Sequence, residues 1–466
     1  MRKILLALAC CLLVLSAAAC SGNGNGGESL KPSGSTNAAN GETNATPKPS
    51  GAGSGKAPIG PPATDEEKTV VFSAYDYNEV YEEAKRKYEE LHPNITIEVN
   101  YLRKGMNDLD GKLLEQFRMT TGAEMLAGQG PDLLDMTWLP TDQYAGKGLL
   151  LNLSEAIAGD PTFEADRYFA NILDNVNPDG NLYAIPLSFM LNGLIGDRQA
   201  IEKAGVAFDD QSWNWAQFSE TGSRLAEAGE YEYGYVYKAP ENLVYDLVSS
   251  NYPALVDEVN RQANFEGELF VGLLDQIRDM ETNKALTLDA RNFEKSYFID
   301  MTLSSVEDYF RVLNESVYQK NPKFYANPKA DGMAPGGFFS TAHNVAINVN
   351  SSVKAEAWDF LKFLMNEKKQ AYGFPINKSA YEERIDELVA AGELADAETG
   401  KTFPVTEADR AALDELLARA VHPKADIPPQ IESTLFSELP AFFSGQKSAE
   451  AVAKLIHNKV TTYLNE

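Results

Sequence analysis

Aromatic side chains stand beside polar ones just after two of the predicted strands. Tyr75 and Tyr77 follow the first strand, and Thr137 and Trp138 follow the third. Trp138 is the strongest candidate for contacting a ligand, because it lies beside Pro140 in a predicted loop and not within a periodic apolar run. Aromatic rings offer flat apolar faces to the C–H surface of a pyranose, while carboxylate, amide and hydroxyl groups satisfy its hydroxyls. These residue types favour a mono- or oligosaccharide, although peptides and polyols make similar demands.

A second group of candidates combines hydroxyls, aromatic faces and an amide. Its members are Ser188, Phe189, Asn242, Phe339 and Ser340. Asn242 stands at the predicted start of a helix, where its amide could bind ligand hydroxyls or simply cap the helix. Tyr75 could pack on its own helix, and one of Phe338 and Phe339 is expected to be a packing residue. Ligand contact and packing are therefore both open for these side chains.

The spacings that mark common enzymes are missing from the sequence. It has no histidine pair at metal-binding helical spacing, no phosphate-binding loop and no G-x-S-x-G nucleophile elbow. Its four histidines are scattered, at His92, His343, His422 and His457. With 68 aspartates and glutamates, paired carboxylates are too common to argue for glycoside hydrolysis. We therefore expect a protein that binds its ligand without catalysis and needs neither a metal nor another cofactor.

The N-terminal region has the pattern of a secretory signal followed by a tether. Arg2 and Lys3 precede an apolar stretch over residues 4–15, and small residues then lead to Cys20. The apolar stretch is shorter than the roughly 20 residues of a membrane-spanning helix. We expect residues 1–19 to be cleaved as a signal peptide, with an uncleaved anchor as the alternative. Residues 20–66 are rich in Gly, Ser, Asn, Thr and Pro and are expected to form a flexible linker.

Cys20 directly follows small residues at the end of the apolar run, which resembles the lipobox of bacterial lipoproteins. Ala17 stands where that motif usually has leucine. The resemblance implies that the thiol of Cys20 receives a lipid, which would anchor the chain to the extracytoplasmic face of the bacterial cell membrane. Cleavage would remove Cys10 and Cys11, so the mature chain could form no internal disulfide.

The rest of the chain has the composition of a large acidic globular protein. From Thr64 onwards, about 400 residues carry ample Phe, Tyr, Leu and Val, which is too much for one ordinary core and favours two lobes. The full sequence holds 41 basic and 68 acidic residues, a net charge of -27. Such a charge disfavours nucleic acid and polyanionic surfaces as partners. Solubility of an exported protein is the simpler reason for the acidity.

Strands and helices are predicted to alternate along the chain. An apolar run at residues 70–75 precedes a helix, for which Asp76 is a candidate N-cap with Glu79 three residues later. The other predicted strands cover residues 95–99, 133–136 and 346–349, and the other predicted helices cover residues 109–127, 353–365, 407–420 and 449–464. This alternation indicates an α/β fold with a mainly parallel sheet. Open sheets of this kind bind ligands beyond the carboxyl ends of their strands, which is why residues just after each strand are candidates.

A motif in the middle of the chain carries a family resemblance. It consists of Pro186-Leu187-Ser188, four further residues, Gly193-Leu194-Ile195-Gly196-Asp197, three further residues, Ile201 and Lys203. The motif resembles the signature of family 1 extracellular solute-binding proteins, which include the sugar-binding lipoproteins of ABC transporters of the maltose-binding type. Gly196 departs from the family, which normally has tyrosine there. Residues 131–150 and 212–218 resemble further stretches of the family, whereas residues 255–335 fit less well.

The resemblance implies a periplasmic-binding-protein-like type II fold, in which two α/β lobes joined by hinge crossovers hold a ligand in the cleft between them. Lobe 1 is expected to comprise residues 67–182 and 338–376, and lobe 2 residues 183–337 and 377–466. Ser188 and residues 336–340 would then lie at crossings between the lobes, where small and flexible residues suit a hinge.

The resemblance also implies a function and partners. A monomeric receptor would capture a carbohydrate and deliver it to the transmembrane permease subunits of an ABC importer. The first alternative is a lipoprotein that presents its ligand to a membrane signalling receptor. The second is a surface enzyme that processes polysaccharides.

Overall fold

The computed structural model of the protein describes the globular part of the chain. The described residues are 59–62, 65–103, 105, 111–176, 180–237, 239–258, 260–315, 322–368, 370, 372–396, 400–425 and 427–465. The predicted signal peptide, Cys20 and most of the predicted linker lie outside them. Among the described residues, no helix is long and apolar enough to cross a membrane.

Strands and helices alternate through most of the described chain. The strands are β1 (Lys68–Asp76), β2 (Ile95–Arg103), β3 (Leu133–Asp135), β4 (Ile185–Asp197), β5 (Tyr233–Val236), β6 (Val256–Asp257), β7 (Gln262–Ala263), β8 (Leu286–Thr287), β9 (Ser296–Leu303), β10 (Pro322–Ala326), β11 (Gly337–Ile347), β12 (Phe374–Pro375), β13 (Glu393–Ala395), β14 (Thr402–Pro404) and β15 (Ala420–Pro423). The helices are α1 (Glu79–Leu91), α2 (Gly111–Leu126), α3 (Thr141–Gly146), α4 (Leu153–Gly159), α5 (Ala170–Leu173), α6 (Arg198–Ala204), α7 (Trp215–Ala228), α8 (Pro240–Ser250), α9 (Tyr252–Leu255), α10 (Glu268–Thr282), α11 (Val306–Glu315), α12 (Lys354–Met365), α13 (Lys378–Ala391), α14 (Glu407–Ala418), α15 (Pro429–Phe443) and α16 (Ala449–Asn465). Short 3-10 helices cover Met136–Trp138, Ala165–Arg167 and Ala290–Lys295.

One large mixed sheet runs through the protein in the order β2-β1-β3-β11-β4-β9-β5-β8, with β10 and β12 also paired to β4 and β15 paired to β11. Pairing is parallel between β1, β2 and β3 and between β9, β5 and β8. It is antiparallel around β4, where residues 185–192 pair with β11 and residues 191–196 pair with β9. The prediction of a mainly parallel sheet is therefore wrong at the centre, because two long strands of opposite direction join the parallel parts.

The first helix begins two residues later than the sequence suggested. β1 continues to Asp76, so the predicted N-cap is still part of the strand. Asn78 caps α1 instead, and its side-chain oxygen accepts a hydrogen bond of 2.9 Å from the Val80 N–H. The helix buries Tyr81 against Phe72 of β1, and it buries Tyr88 against Phe360 and Phe363 of α12.

Within the described residues, buried apolar side chains form three clusters, which we call cores A, B and C. Core A includes Val70, Phe72, Tyr81, Ile185, Phe189, Phe310, Phe339, Val345, Trp358, Tyr381 and Leu413. Core B includes Trp213, Phe218, Tyr235, Leu247, Phe270, Tyr297, Phe298, Leu435, Phe442 and Ile456. Core C includes Tyr75, Phe117, Met125, Leu134, Met136, Leu139 and Tyr144. Helices α13 and α14 thus pack in core A, whereas helices α15 and α16 pack in core B. The lobe boundaries given above stay a prediction.

Gly336 precedes β11 and lies against Val421 of β15. Its φ angle is +149°, which L side chains rarely adopt, and an added Cβ would lie 2.4 Å from Cγ2 of Val421. Its N–H donates to the Gln211 carbonyl over 3.1 Å, and the Gly337 N–H donates to the Arg419 carbonyl over 2.7 Å. Only glycine fits this close backbone approach.

Gly336→Ala is therefore expected to lower the melting temperature by about 4 °C or more, because the new methyl group is forced against Val421 in a strained backbone. Thermal unfolding followed by circular dichroism measures the shift. Gly272→Ala is the matched control, since Gly272 is in α10 and nothing would lie within 4 Å of its added Cβ. Equal melting temperatures for the two variants would contradict the claim that only glycine fits at position 336.

Candidate functional site

The carboxyl ends of β1, β2 and β3 meet at one edge of the sheet, because β1 pairs in parallel with both neighbours. The 3-10 helix Met136–Trp138 follows β3 directly. Four of the predicted site residues are brought together here. We call this surface the strand-end cluster, and it consists of Tyr75, Asp76, Tyr77, Tyr101, Arg103, Thr137 and Trp138.

Trp138 is partly exposed and is held in place by a carboxylate. Its side chain is 38% exposed, and its Nε1 donates a hydrogen bond of 2.9 Å to Oδ2 of Asp76. Asp76 also binds Arg103, and Nε of Arg118 donates to the Trp138 carbonyl over 2.7 Å. The indole ring is therefore oriented before any ligand arrives.

Tyr75 on β1 and Tyr77, just after this strand, lie in different surroundings. Tyr75 is buried in core C, with its ring 5.5 Å from that of Phe117 and 6.0 Å from that of Trp138. Tyr77 is 54% exposed and packs one face near Tyr101, 5.2 Å away between ring centroids. Tyr75 thus makes an edge contact with Trp138, while Tyr77 presents an accessible ring. Ligand contact by either residue stays a prediction.

A buried carboxylate supports the turn that carries Thr137 and Trp138. Oδ1 of Asp135 accepts hydrogen bonds from the N–H and the hydroxyl of Thr137, and Oδ2 accepts one of 2.7 Å from the Tyr81 hydroxyl. Nδ1 of His343 lies 3.7 Å from the same Oδ2. Burial would raise the pKa of Asp135, but His343 and Thr137 outweigh it, so that the pKa is lowered from the ordinary 3.8. His343 itself has a φ of +53°, an uncommon backbone conformation outside glycine.

A second polar group lies at the carboxyl end of β5, next to core B. Tyr237 follows β5 and donates its hydroxyl to Asp246 on α8. Nζ of Lys424 donates to Oδ1 of Asp246 over 3.2 Å. Burial, with the nearby Asp300 and Asp246 carboxylates, raises the pKa of Tyr237, so its hydroxyl stays protonated. The sequence analysis did not identify these three residues as candidates. Tyr237 would have been a candidate if β5 had been recognised, because it directly follows that strand.

Asn242 shares a helix face with Asp246, because the two residues are four positions apart on α8. Asn242 is exposed, and Ala239 is the N-cap residue of α8. The predicted capping role of Asn242 is therefore wrong, since the helix begins at Pro240. Its exposed amide lies one turn from the carboxylate of Asp246, and its contact with a ligand stays a prediction.

Three of the other predicted residues are closed to solvent in this structure. Ser188, Phe189 and Phe339 are fully buried. The Ser188 hydroxyl donates to the Tyr372 carbonyl, and Phe189 packs between Phe169 and Phe374. They therefore have packing and interstrand roles here, away from the strand-end cluster. Ser340 is only partly buried.

Within the described part of the chain, no group of three or more His, Cys, Asp or Glu side chains is placed to hold a metal ion. The polar groups around the strand-end cluster instead form hydrogen bonds with one another. The arrangement offers a polar molecule an exposed aromatic ring beside a fixed carboxylate and a guanidinium.

Comparison with known proteins places these features in a family. Residues 73–371 match the sequence model of the bacterial extracellular solute-binding protein family. A family 1 extracellular solute-binding protein from Alicyclobacillus acidocaldarius is 17% identical, with a TM-score of 0.59 over 87% of this chain and 100% of that one. A periplasmic oligogalacturonide-binding protein from Yersinia enterocolitica is 18% identical, with a TM-score of 0.58 over 85% and 99% of the two chains. A sugar transporter from Rhizobium etli is 18% identical, with a TM-score of 0.56 over 84% and 98%.

The structural likeness confirms the predicted fold class. The protein has the periplasmic-binding-protein-like type II fold, with a large mixed sheet and many helices. At these identities the likeness concerns the fold alone.

Proposed function

Since the chain belongs to the bacterial extracellular solute-binding protein family, we propose that it captures a mono- or oligosaccharide between its lobes and delivers it to the permease subunits of an ABC importer. The observation that carries this proposal is the partly exposed Trp138 ring, fixed by Asp76 at the carboxyl ends of parallel strands. The family resemblance inferred from the Pro186–Lys203 motif is confirmed by the family match.

The strand-end cluster suits a carbohydrate for two physical reasons. The indole of Trp138 offers a flat apolar face to the C–H groups of a sugar ring, and Tyr77 offers a second one nearby. The fixed carboxylate of Asp76 and the guanidinium of Arg103 can pair with ring hydroxyls, which would otherwise cost about 1 to 3 kcal/mol each on burial. The oligogalacturonide-binding and sugar-transporting proteins of the same fold support this ligand class.

On the opposite lobe, Asn242 and Asp246 are proposed to complete the site. Both lie on one face of α8, and Lys424 holds the Asp246 carboxylate. Ser340, on the crossing strand β11, is a further polar candidate. A ligand that touches both lobes favours their closed arrangement, and the permease would then recognise that shape. Binding without turnover is part of the proposal.

A thermal-shift screen tests the ligand class. Neutral oligosaccharides, oligogalacturonides and monosaccharides form the first arm, and peptides and polyols form the second. A true ligand at 100 times its dissociation constant should stabilise the protein by about 2.7 kcal/mol. Stabilisation by peptides alone would overturn the carbohydrate proposal. New reducing ends after incubation with an oligosaccharide would overturn binding without turnover.

The proposed cellular location is based on the sequence pattern of the N-terminal region. We propose that the chain is exported and that a lipid on Cys20 holds it at the extracytoplasmic face of the membrane, with residues 21–66 as a tether. A linker of this composition reaches roughly 35 to 40 Å, which leaves the lobes free to meet a permease.

Cys20→Ala is expected to release the protein from the membrane fraction of the producing cells, because the thiol that would carry the lipid is gone. Mass spectrometry of the N-terminal peptide measures the lipid directly. Ser21→Ala is the control and should remain membrane-bound. An unmodified thiol in the membrane-bound protein would rule out lipidation.

A further inference from the structure

Helix α3 contacts the C-terminal helix α16 directly. α3 follows the Trp138 turn and contributes Tyr144 to core C, whereas α16 packs in core B. Nε2 of Gln143 donates a hydrogen bond of 3.1 Å to the hydroxyl oxygen of Tyr463, a residue 320 positions later in the chain. The contact therefore joins the strand-end side of the protein to core B without a ligand.

Charged groups gather around this hydrogen bond from both sides. Burial raises the pKa of Tyr463, which keeps its hydroxyl protonated. Burial lowers the pKa of Arg118 on α2, and the nearby carboxylates of Glu115 and Glu432 partly offset this. Arg118 also lies close to Tyr463. Arg118 also donates to the Trp138 carbonyl. Arg118 thus connects this contact to the residues that orient the Trp138 ring.

Two carboxylates lie near the contact. Glu258, next to core B, accepts a hydrogen bond of 2.8 Å from the Tyr252 hydroxyl. Burial raises the pKa of Glu258, the Tyr252 hydrogen bond lowers it, and the charge of Asp142 on α3 raises it again. Asp142, next to Gln143 on α3, is thus close enough to Glu258 to act on its pKa.

We propose that Gln143 and Tyr463 form a latch that holds the two lobes together at the edge of the cleft. The latch adds to the contacts that hold the closed arrangement when no ligand is bound. A single hydrogen bond of this kind changes the ratio of closed to open protein by about threefold to tenfold. The latch depends on the two-lobed fold and not on the identity of the ligand.

The test uses the full-length protein without ligand. Tyr463→Phe keeps the ring and removes the hydroxyl, and Gln143→Ala removes the donor. In each variant we expect amide exchange in α3 and the last turns of α16 to be about threefold to tenfold faster, because the open state is more populated. Small-angle scattering should show a larger radius of gyration. The double variant should match the single variants, since both remove one bond.

Tyr231→Phe is the matched control. It also removes one tyrosine hydroxyl, but its hydrogen bond of 2.8 Å goes to Asp197 at the end of β4, beside core B. Exchange in α3 should stay at the wild-type rate. Wild-type exchange and scattering in Tyr463→Phe, or additive effects in the double variant, would overturn the latch. Because no sugar is present, a failed ligand screen and a failed latch give separate results.

Discussion

Trp138→Ala is expected to weaken carbohydrate binding by about tenfold or more while leaving the melting temperature of the ligand-free protein nearly unchanged. Trp138 is 38% exposed and is not a member of core A, B or C, so its removal leaves the members of these cores in place. What is lost is the flat face that would stack on the sugar, together with the edge contact to Tyr75. Isothermal titration calorimetry with a sugar from the thermal-shift screen measures the affinity.

Two further variants sharpen this experiment. Trp138→Phe keeps an aromatic face but loses the Nε1 hydrogen bond to Asp76, so its affinity should lie between those of the wild type and Trp138→Ala. Tyr372→Ala removes an aromatic side chain that is 52% exposed and lies outside the strand-end cluster, and it should bind normally. A large loss of stability with unchanged affinity would make Trp138 a packing residue.

The regular elements were predictable wherever the apolar pattern was long. The predicted helices at 353–365 and 449–464 correspond to α12 and α16 within one residue at each end. Both have apolar side chains at helical spacing, which burial in one core then stabilises. The N-cap of α1 was harder, because Asp76 and Asn78 are both good capping residues. The pairing of Asp76 with Arg103 keeps Asp76 in the strand and leaves the cap to Asn78.

The candidate site was predictable only where it depends on residues that are close together in the sequence. Trp138 was found because it follows a strand directly. Its partner Asp76 lies 62 residues away, and the two meet only because β1 and β3 are neighbours in the sheet. Asp246 and Lys424 are 178 residues apart and join α8 to the segment after β15. No local pattern contains such a pairing, so it requires the fold.

Burial of the crossing strands also could not be derived from residue types. Ser188 and Phe339 looked like hinge or ligand residues, since a hydroxyl and an aromatic face suit both roles. In the structure β4 has partners along its whole length, namely β11 and β12 for its first part and β9 and β10 for its last part. All of its side chains are consequently buried. Which side chains of a central strand face a cleft depends on pairing that the sequence does not reveal.

Asp135→Ala is expected to have the largest effect on stability, lowering the free energy of unfolding by about 3 to 5 kcal/mol at neutral pH. The residue is 8% exposed, and loss of its carboxylate leaves the hydroxyl of the fully buried Tyr81 without its acceptor. The turn bearing Thr137 and Trp138 loses its anchor as well. Urea unfolding measures the loss, and Asp166→Ala, at an exposed position, is the control.

The pH dependence of Asp135→Asn separates the charge of this carboxylate from its shape. The pKa of Asp135 is lower in the folded protein than its ordinary value of 3.8, so the folded state holds the charged form more tightly than the unfolded state does. The resulting stability is fully present above pH 3.8 and is lost as the pH falls through the folded pKa. The difference in unfolding free energy between wild type and Asp135→Asn should therefore be largest at neutral pH and shrink below about pH 4. A difference that stays constant down to acidic pH would mean that Asp135 supports the Trp138 turn only through its shape and hydrogen bonds.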